Sequence, residues 1–228
     1  MYLPFKRWLD FLVATVALIL LAPLFILIII ALRFTGEGEV FYRQNRVGYQ
    51  KKHFQIWKFA TMLKNSPNMG TGSLTLRNDP RVTTLGKYLR KSKINELPQL
   101  INLLIGDMTL VGPRPQMKED FEAFPSAIQE FIYNVRPGIT GIGSIVFRDE
   151  EQLLSVPGRD PLQFYVEHIA PYKGEVEIWY QQHLSFWTDF RLVFLTVWVV
   201  LNPGSNLHFR VFRDLPQLPF ELRKSNAP

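Results

Sequence analysis

The 228-residue chain contains no cysteine, which excludes a disulfide framework and thiolate metal sites. It also lacks the phosphate-loop motif GxxxxGK[ST], the dinucleotide motif GxGxxG after a strand, the zinc motif HExxH and the nucleophile motif GxSxG. Its four histidines show no paired metal-ligand spacing. These absences exclude the common nucleotide-loop, dinucleotide, zinc-hydrolase and serine-hydrolase sites.

The charge is distributed rather than concentrated. A net charge of +6 and a pI near 9.5 suit nucleic acid, an anionic membrane surface or phosphorylated substrates. The sequence has no long Lys/Arg tract and no nucleic-acid reader motif, so nucleic acid is not expected as a partner.

One apolar run dominates the N-terminal region. Phe11–Leu32 contains 22 residues without a charge, enough for a helix to cross a bilayer core of roughly 30 Å. Pro23 lies at its middle and predicts a break. Lys6 and Arg7 precede the run and further basic residues follow it, so both flanks suit one anionic surface. We therefore predict a re-entrant helix; a single span with a proline kink is the alternative.

The rest of the chain predicts a small α+β domain that is mostly helical. Val40–Tyr42 and Phe54–Phe59 are predicted strands around a turn, and several amphipathic stretches predict helices. The apolar stretch Leu192–Leu201 is too short to span a bilayer and suits an interfacial helix or a core element. The predicted organisation is a re-entrant membrane helix over residues 1–35, a catalytic domain with interfacial helices over 36–202, and an extended proline-rich tail over 203–228.

A helix is predicted from Asn95, which is a suitable N-cap residue. Leu97, Leu100, Ile101 and Leu104 follow at helical spacing and form one apolar stripe. Exposed N–H groups at this helix start would favour an anion.

Basic residues are interleaved with glycine and proline turns in the middle of the chain. The planar guanidinium of arginine can grip two phosphate oxygens with little ordering cost when a rigid turn holds it. The candidate phosphate-binding residues are Lys58, Arg81, Arg90, Arg114, Arg136 and Arg148. Glu96, Asp107 and Asp79 are the carboxylates available for a metal ion that bridges phosphates.

Several motifs resemble one bacterial family. They are KRWLD at residues 6–10, FYRQNRVG, KFATM, ELPQLINLLIGDMTLVGPRP, VRPGITG and SFWTDFRLVFLTV. The chain resembles the bacterial sugar transferases, the monotopic phosphoglycosyl transferases, from about residue 5 to 202. The resemblance assigns Lys6, Arg7, Asp10 and Pro23 to the membrane anchor.

The resemblance implies a two-step transfer at the cytoplasmic face of the bacterial inner membrane. A carboxylate attacks the sugar-bearing phosphate of a UDP-sugar and releases UMP. Polyprenyl (undecaprenyl) phosphate then accepts the sugar phosphate, which starts assembly of a surface glycan. Mg²⁺ is the implied cofactor, with Glu96 and Asp107 as candidate ligands, and membrane lipids are implied partners. Self-association into a homo-oligomer is left open.

The chain departs from the family at the nucleophile, because Asn95–Glu96 stands where the family has Asp–Glu. A carboxamide is a poor nucleophile. Three interpretations follow. Glu96 or another nearby carboxylate such as Asp107 carries the chemistry, directly or by activating the acceptor; the asparagine is an engineered replacement; or the protein is an inactive membrane scaffold.

Overall fold

The computed structural model describes residues 2–69 and 79–223. The fold is α+β and mostly helical, as predicted. The α-helices are α1 (Tyr2–Arg33), α2 (Thr84–Lys91), α3 (Gln99–Ile105), α4 (Lys118–Glu122), α5 (Ser126–Phe131), α6 (Ile142–Val146), α7 (Glu150–Leu154), α8 (Pro161–Phe164), α9 (Ala170–Gln182), α10 (Phe186–Leu201), α11 (Leu207–Val211) and α12 (Phe220–Arg223). The strands are β1 (Phe41–Val47), β2 (His53–Phe59), β3 (Thr109–Val111) and β4 (Gly138–Thr140). A π-helix over Tyr165–Ile169 joins α8 to α9, and the short 3₁₀ helices cover Tyr49–Lys51, Ser66–Asn68 and Ile94–Glu96.

Helix α1 is long and apolar enough to cross a membrane. It continues through Pro23 as one helix, so the predicted interruption at this residue is not observed. The missing N–H of a proline removes one hydrogen bond, but the neighbouring turns of a long apolar helix maintain helical geometry on both sides. Five of its 32 residues are buried, as expected for a surface that faces lipid.

Both halves of α1 contact the same domain. Near its start, Lys6 Nζ donates hydrogen bonds to the Val111 carbonyl at 2.6 Å and the Tyr180 hydroxyl at 2.8 Å, and Asp10 accepts from the Leu110 amide at 2.9 Å. Near its end, Ile28 is buried in an apolar cluster formed with β2 and α2. The domain therefore holds α1 along both of its halves.

The hairpin of β1 and β2 is antiparallel, with Phe41 opposite Phe59 and Val47 opposite His53. Asn102 on α3 is fully buried and fixes the hairpin to the helix. Its Oδ1 accepts from the Trp57 amide at 2.9 Å, and its Nδ2 donates to the Gln55 carbonyl at 2.8 Å. These bonds satisfy backbone groups on the hairpin edge.

Strands β3 and β4 form a parallel pair in which Thr109 lies opposite Gly138. The backbone of Gly112, in the turn after β3, closely approaches the backbone at both ends of β4. A Cβ atom on Gly138 would lie 2.1 Å from the Gly112 nitrogen, and one on Gly141 would lie 2.2 Å from the Gly112 carbonyl oxygen. Only glycine permits this approach, so the two glycine-proline turns form one rigid unit.

The main core lies among the helices that follow β3, with Tyr133, Ile169, Val176 and Leu192 almost completely buried. Residues 203–228 were expected to form an extended tail. The described part of this segment, up to residue 223, instead contains α11 and α12. The core buries three apolar side chains of this segment, those of Phe212, Leu215 and Leu222. Removing them from water stabilises the packed arrangement despite the nearby prolines.

Candidate active site

The candidate site is built around Glu96, immediately before α3. Ile94–Glu96 forms a 3₁₀ turn and α3 begins only at Gln99, after Pro98. Asn95 is therefore not the predicted N-cap: it lies inside the 3₁₀ turn and is 5% exposed. Its Oδ1 is buried and forms no hydrogen bond with a described residue. An unsatisfied buried acceptor costs about 1–3 kcal/mol, so the site holds a polar atom that a ligand could satisfy.

Glu96 pairs with Arg114, which lies in the turn after β3. Arg114 Nη2 donates to Glu96 Oε1 at 2.9 Å. Burial alone would raise the pKa of Glu96, but Arg114 and Lys58 outweigh it and hold this pKa well below its usual range. Glu96 is therefore ionised at neutral pH.

Arg114 is held firmly from its backbone. The Tyr133 hydroxyl donates to the Arg114 carbonyl at 2.9 Å and accepts from the Gln116 amide at 2.9 Å. Oε1 of Glu177, on α9, accepts from the Arg114 amide at 3.3 Å. The guanidinium thus projects from a fixed backbone, which limits the ordering cost of binding an anion.

The hairpin adds two further cations. Arg46 and Lys58 are on the same face, because the register pairs Arg46 with Phe54 and Tyr42 with Lys58. Burial, together with the nearby Arg46, lowers the pKa of Lys58 to about 7. Arg46 donates to Gln44 Oε1 at 2.6 Å and to the Pro115 carbonyl at 3.3 Å, and burial lowers its pKa as well.

The structure brings together three of the predicted phosphate-binding residues. Lys58 is in the electrostatic field of Glu96, Arg114 and Arg90. Arg90 Nη2 also donates to Glu151 Oε1 at 2.9 Å. We call the group Arg46, Lys58, Arg90, Lys93, Glu96 and Arg114 the Glu96 cluster. Its five basic residues outnumber the acidic ones, even when Glu151 and Asp120, which pair with Arg90 and Arg46, are counted with Glu96.

Other predicted residues lie elsewhere. Arg81 is buried and makes a bidentate pair with Asp79, at 2.6 Å from Nη2 to Oδ2 and 2.9 Å from Nε to Oδ1. Arg136 donates to the Gly106 carbonyl at 3.0 Å and its guanidinium lies 5.1 Å from the centre of the Tyr49 ring. Neither contact involves Glu96, so the structure does not group these arginines with the cluster.

The predicted metal pair is also separated. Glu96 precedes α3 and Asp107 follows it, and a seven-residue helix between them spans about 10 Å. Within residues 2–69 and 79–223, no three His, Asp or Glu side chains form a metal-binding group. Mg²⁺ commonly takes one or two protein carboxylates and completes its shell with substrate phosphates and water. Glu96 and the unsatisfied Oδ1 of Asn95 fit that limited role.

Sequence reasoning missed two members of the cluster and one neighbour. Arg46 could have been found from the two-residue alternation of β1. Lys93 lies three residues before Glu96. Glu177 had no local signal, because it reaches Arg114 from a helix more than sixty residues away. Burial raises the pKa of Glu177 to about 8.

Comparison with known proteins identifies the family of the chain. A model of the family described as bacterial sugar transferase matches residues 1–203. The chain belongs to the bacterial sugar transferase family. The resemblance inferred from the motifs is thereby confirmed, and the Glu96 cluster is the candidate active site of a transferase.

Relatives of this sugar transferase include both short and long proteins. The exopolysaccharide production protein ExoY of Rhizobium meliloti is 35% identical over 215 residues, covering 88% of this chain and 87% of ExoY. A UDP-glucose:undecaprenyl-phosphate glucose-1-phosphate transferase of Klebsiella pneumoniae is 36% identical over 198 residues, covering 85% of this chain and 39% of the relative. An Aeromonas hydrophila UDP-N-acetylgalactosamine-undecaprenyl-phosphate N-acetylgalactosaminephosphotransferase is 34% identical, with 86% and 44% covered. The chain spans less than half of these two longer relatives.

Proposed function

We propose that this protein transfers a sugar-1-phosphate from a UDP-sugar to undecaprenyl phosphate and releases UMP. The observation that carries the proposal is the Glu96 cluster, in which five cations surround one ionised carboxylate beside a membrane helix. The names of the relatives supply the substrate class, and ExoY connects the family to exopolysaccharide production.

The cluster suits a diphosphate substrate. Arg114, Lys58 and Arg90 would neutralise the phosphates of the UDP-sugar and stabilise the negative charge that develops during transfer. Mg²⁺, if held by Asn95 Oδ1 together with substrate phosphates, would further neutralise this charge.

We assign the nucleophile to Glu96. Its carboxylate oxygen would attack the phosphorus that carries the sugar, and the bond between this phosphorus and the bridging oxygen of the diphosphate would break, releasing UMP. An oxygen of undecaprenyl phosphate would then attack the same phosphorus and release the Glu96 carboxylate. The low pKa of Glu96 keeps the carboxylate ionised, whereas the pair with Arg114 must loosen for attack. Asp107 is less suitable because it lies at the other end of α3.

We place the site at the cytoplasmic face of the inner membrane. Arg33 and Arg43 follow the apolar part of α1, and cytoplasmic flanks of membrane helices are rich in such residues. Helix α10 adds exposed Phe186, Trp187 and Phe190 near the start of α1, where the Phe5 and Phe186 rings lie 6.3 Å apart. This aromatic surface suits the membrane interface.

A second candidate function is a membrane scaffold without activity. The presence of Asn95 where the family has a carboxylate favours it.

One experiment distinguishes the two functions. Purified protein should be incubated with several UDP-sugars and undecaprenyl phosphate while UMP release is measured, and the mass of the intact protein should be checked for a bound sugar phosphate. We expect UMP release by the native protein and at least a 100-fold loss in Glu96→Gln. An inactive native protein with activity gained in Asn95→Asp would support the scaffold and refute the assignment of Glu96. The matched control is Glu119→Gln, an exposed carboxylate on α4.

A further inference from the structure

Lys93 occupies an unusual backbone conformation next to the candidate nucleophile. It links the end of α2 to the 3₁₀ turn and has a φ of 59° and a ψ of 10°. Among the described residues, Gln50, Lys51 and Lys93 are the non-glycine residues with positive φ. Such left-handed positions are unfavourable for a side chain with a Cβ atom and recur at functional sites, where the surroundings maintain them.

The backbone of Lys93 is tied directly to Glu96. The Glu96 amide donates to the Lys93 carbonyl at 3.1 Å, and the Lys93 amide donates to the Arg90 carbonyl at 3.0 Å. The Lys93 side chain is exposed to solvent. Through this backbone link, Lys93 lies at the exposed edge of the Glu96 cluster.

Lys93 is also an available cation. Arg114 is paired with Glu96, and Arg90 is paired with Glu151. Lys93 forms no ion pair within 4.0 Å of any carboxylate in the described part of the chain. A new anion could thus approach it without displacing an existing partner.

The neighbours of Lys93 contact the membrane helix. Ile94 and Leu97 flank the Asn95–Glu96 pair and pack against the apolar cluster that contains Ile28 and Leu32 of α1. The outer face of the same half of α1 exposes Leu27 and Ile30, which are 66% and 51% exposed. A hydrocarbon chain lying along α1 would bring a terminal phosphate to the side of the cluster where Lys93 stands.

We propose that Lys93 binds the phosphate of the lipid acceptor, while Arg114 and Lys58 hold the diphosphate of the nucleotide sugar. The inference rests on the proposed function and divides its two anionic substrates between two parts of one cluster. The free ammonium group, the direct backbone link to Glu96 and the adjoining apolar wall of α1 together favour a phosphate carried on a hydrocarbon chain.

The test compares binding of two probes to detergent-purified full-length protein by native mass spectrometry. Farnesyl phosphate represents the acceptor and UMP represents the donor. We expect Lys93→Met to weaken farnesyl phosphate binding at least fivefold and to change UMP binding less than twofold. Lys93→Arg should retain most of the binding. Lys93→Gly removes the charge and also removes the strain of a positive φ at a residue with a Cβ atom. It should therefore weaken farnesyl phosphate binding while its melting temperature stays equal or rises.

Lys91→Met is the matched control, because Lys91 is exposed on α2 two residues earlier, and it should bind both probes normally. Unchanged farnesyl phosphate binding in Lys93→Met, or an equal loss of UMP, would overturn the assignment while leaving the transferase proposal intact. Phosphatidylglycerol serves as a further control for general lipid binding. If Lys93→Met weakens its binding as much as that of farnesyl phosphate, Lys93 contacts lipid headgroups in general and the assignment is overturned. A native protein that binds neither probe would instead refute the proposed function. If turnover is measured, Lys93→Met should raise the KM for undecaprenyl phosphate more than the KM for the UDP-sugar.

Discussion

Glu177 should make the stability of the protein depend on pH. The side chain is 1% exposed and its Oε2 forms no hydrogen bond with a described residue. A Cβ atom on Gly143 would lie 2.3 Å from Oε1, so the carboxyl group rests directly against that glycine. Burial raises the pKa of Glu177 from 4.5 to about 8, and the folded protein therefore keeps this group largely protonated at pH 7.

The sign of the effect follows from proton binding. Between pH 4.5 and 8 the folded state binds more protons at Glu177 than the unfolded state does, so the free energy of unfolding falls as pH rises. At about 1.4 kcal/mol per pH unit, the decrease from pH 5 to pH 8 is at most about 4 kcal/mol. Because the pKa of Lys58 is lowered, this residue makes the free energy of unfolding rise with pH above pH 7. Lys58 is present in every variant compared, so its contribution cancels when the variant is compared with the native protein.

The variant Glu177→Gln removes this titration and retains the size of the side chain. Urea unfolding in mild detergent, followed by tryptophan fluorescence at pH 5 and pH 8, should show a smaller difference between the two pH values in Glu177→Gln than in the native protein. Glu119→Gln, on the exposed face of α4, should behave like the native protein. If the native protein and Glu177→Gln lose the same stability between pH 5 and pH 8, the buried, protonated state of Glu177 is wrong.

Three further predictions concern the fold and the membrane surface. Gly138→Ala places a Cβ atom 2.1 Å from the Gly112 nitrogen and should lower the free energy of unfolding by at least about 2 kcal/mol in urea titrations; an unchanged midpoint would contradict the close approach of the two turns. Asp79→Asn leaves buried Arg81 without its carboxylate and should cost about 3 kcal/mol by the same assay, whereas an effect below 1 kcal/mol would argue against the ion pair. Because the chain has no native cysteine, a spin label on Phe190→Cys reports on α10 alone and should collide with lipid-soluble oxygen more than with aqueous nickel. The same label on Glu119→Cys should show the reverse preference.

The hairpin and the membrane helix were predictable because their signals are local. In β1 and β2, successive side chains alternate between the two faces of the hairpin. In α1, an uncharged apolar run identifies the membrane helix. The alternation in the hairpin would have placed Arg46 on the face that carries Lys58 had the first strand been extended to Val47. The resemblance of the motifs located Glu96, and the structure adds the partners that surround it.

The errors arose where tertiary contacts outweigh local preference. Asn95 has the chemistry of a helix cap, but Pro98 and the preceding 3₁₀ turn delay the helix to Gln99. The prolines after residue 202 predicted an extended tail, but Phe212 and Leu222 of this segment pack in the main core. The role of Arg81 could have been questioned from the sequence, since Asp79 lies two residues away and satisfies it.

The attachment of α1 at two places restricts how the domain can sit on the bilayer. If α1 contacted the domain at one point, the domain could rotate relative to the bilayer. The active site would then face its lipid substrate for only part of the time. Fixing the anchor at Asp10 near one end and at Ile28 near the other removes that freedom. Deleting α1 to obtain a water-soluble fragment would therefore expose apolar surface on α2 and α3. It would also remove the attachment of the protein to the membrane.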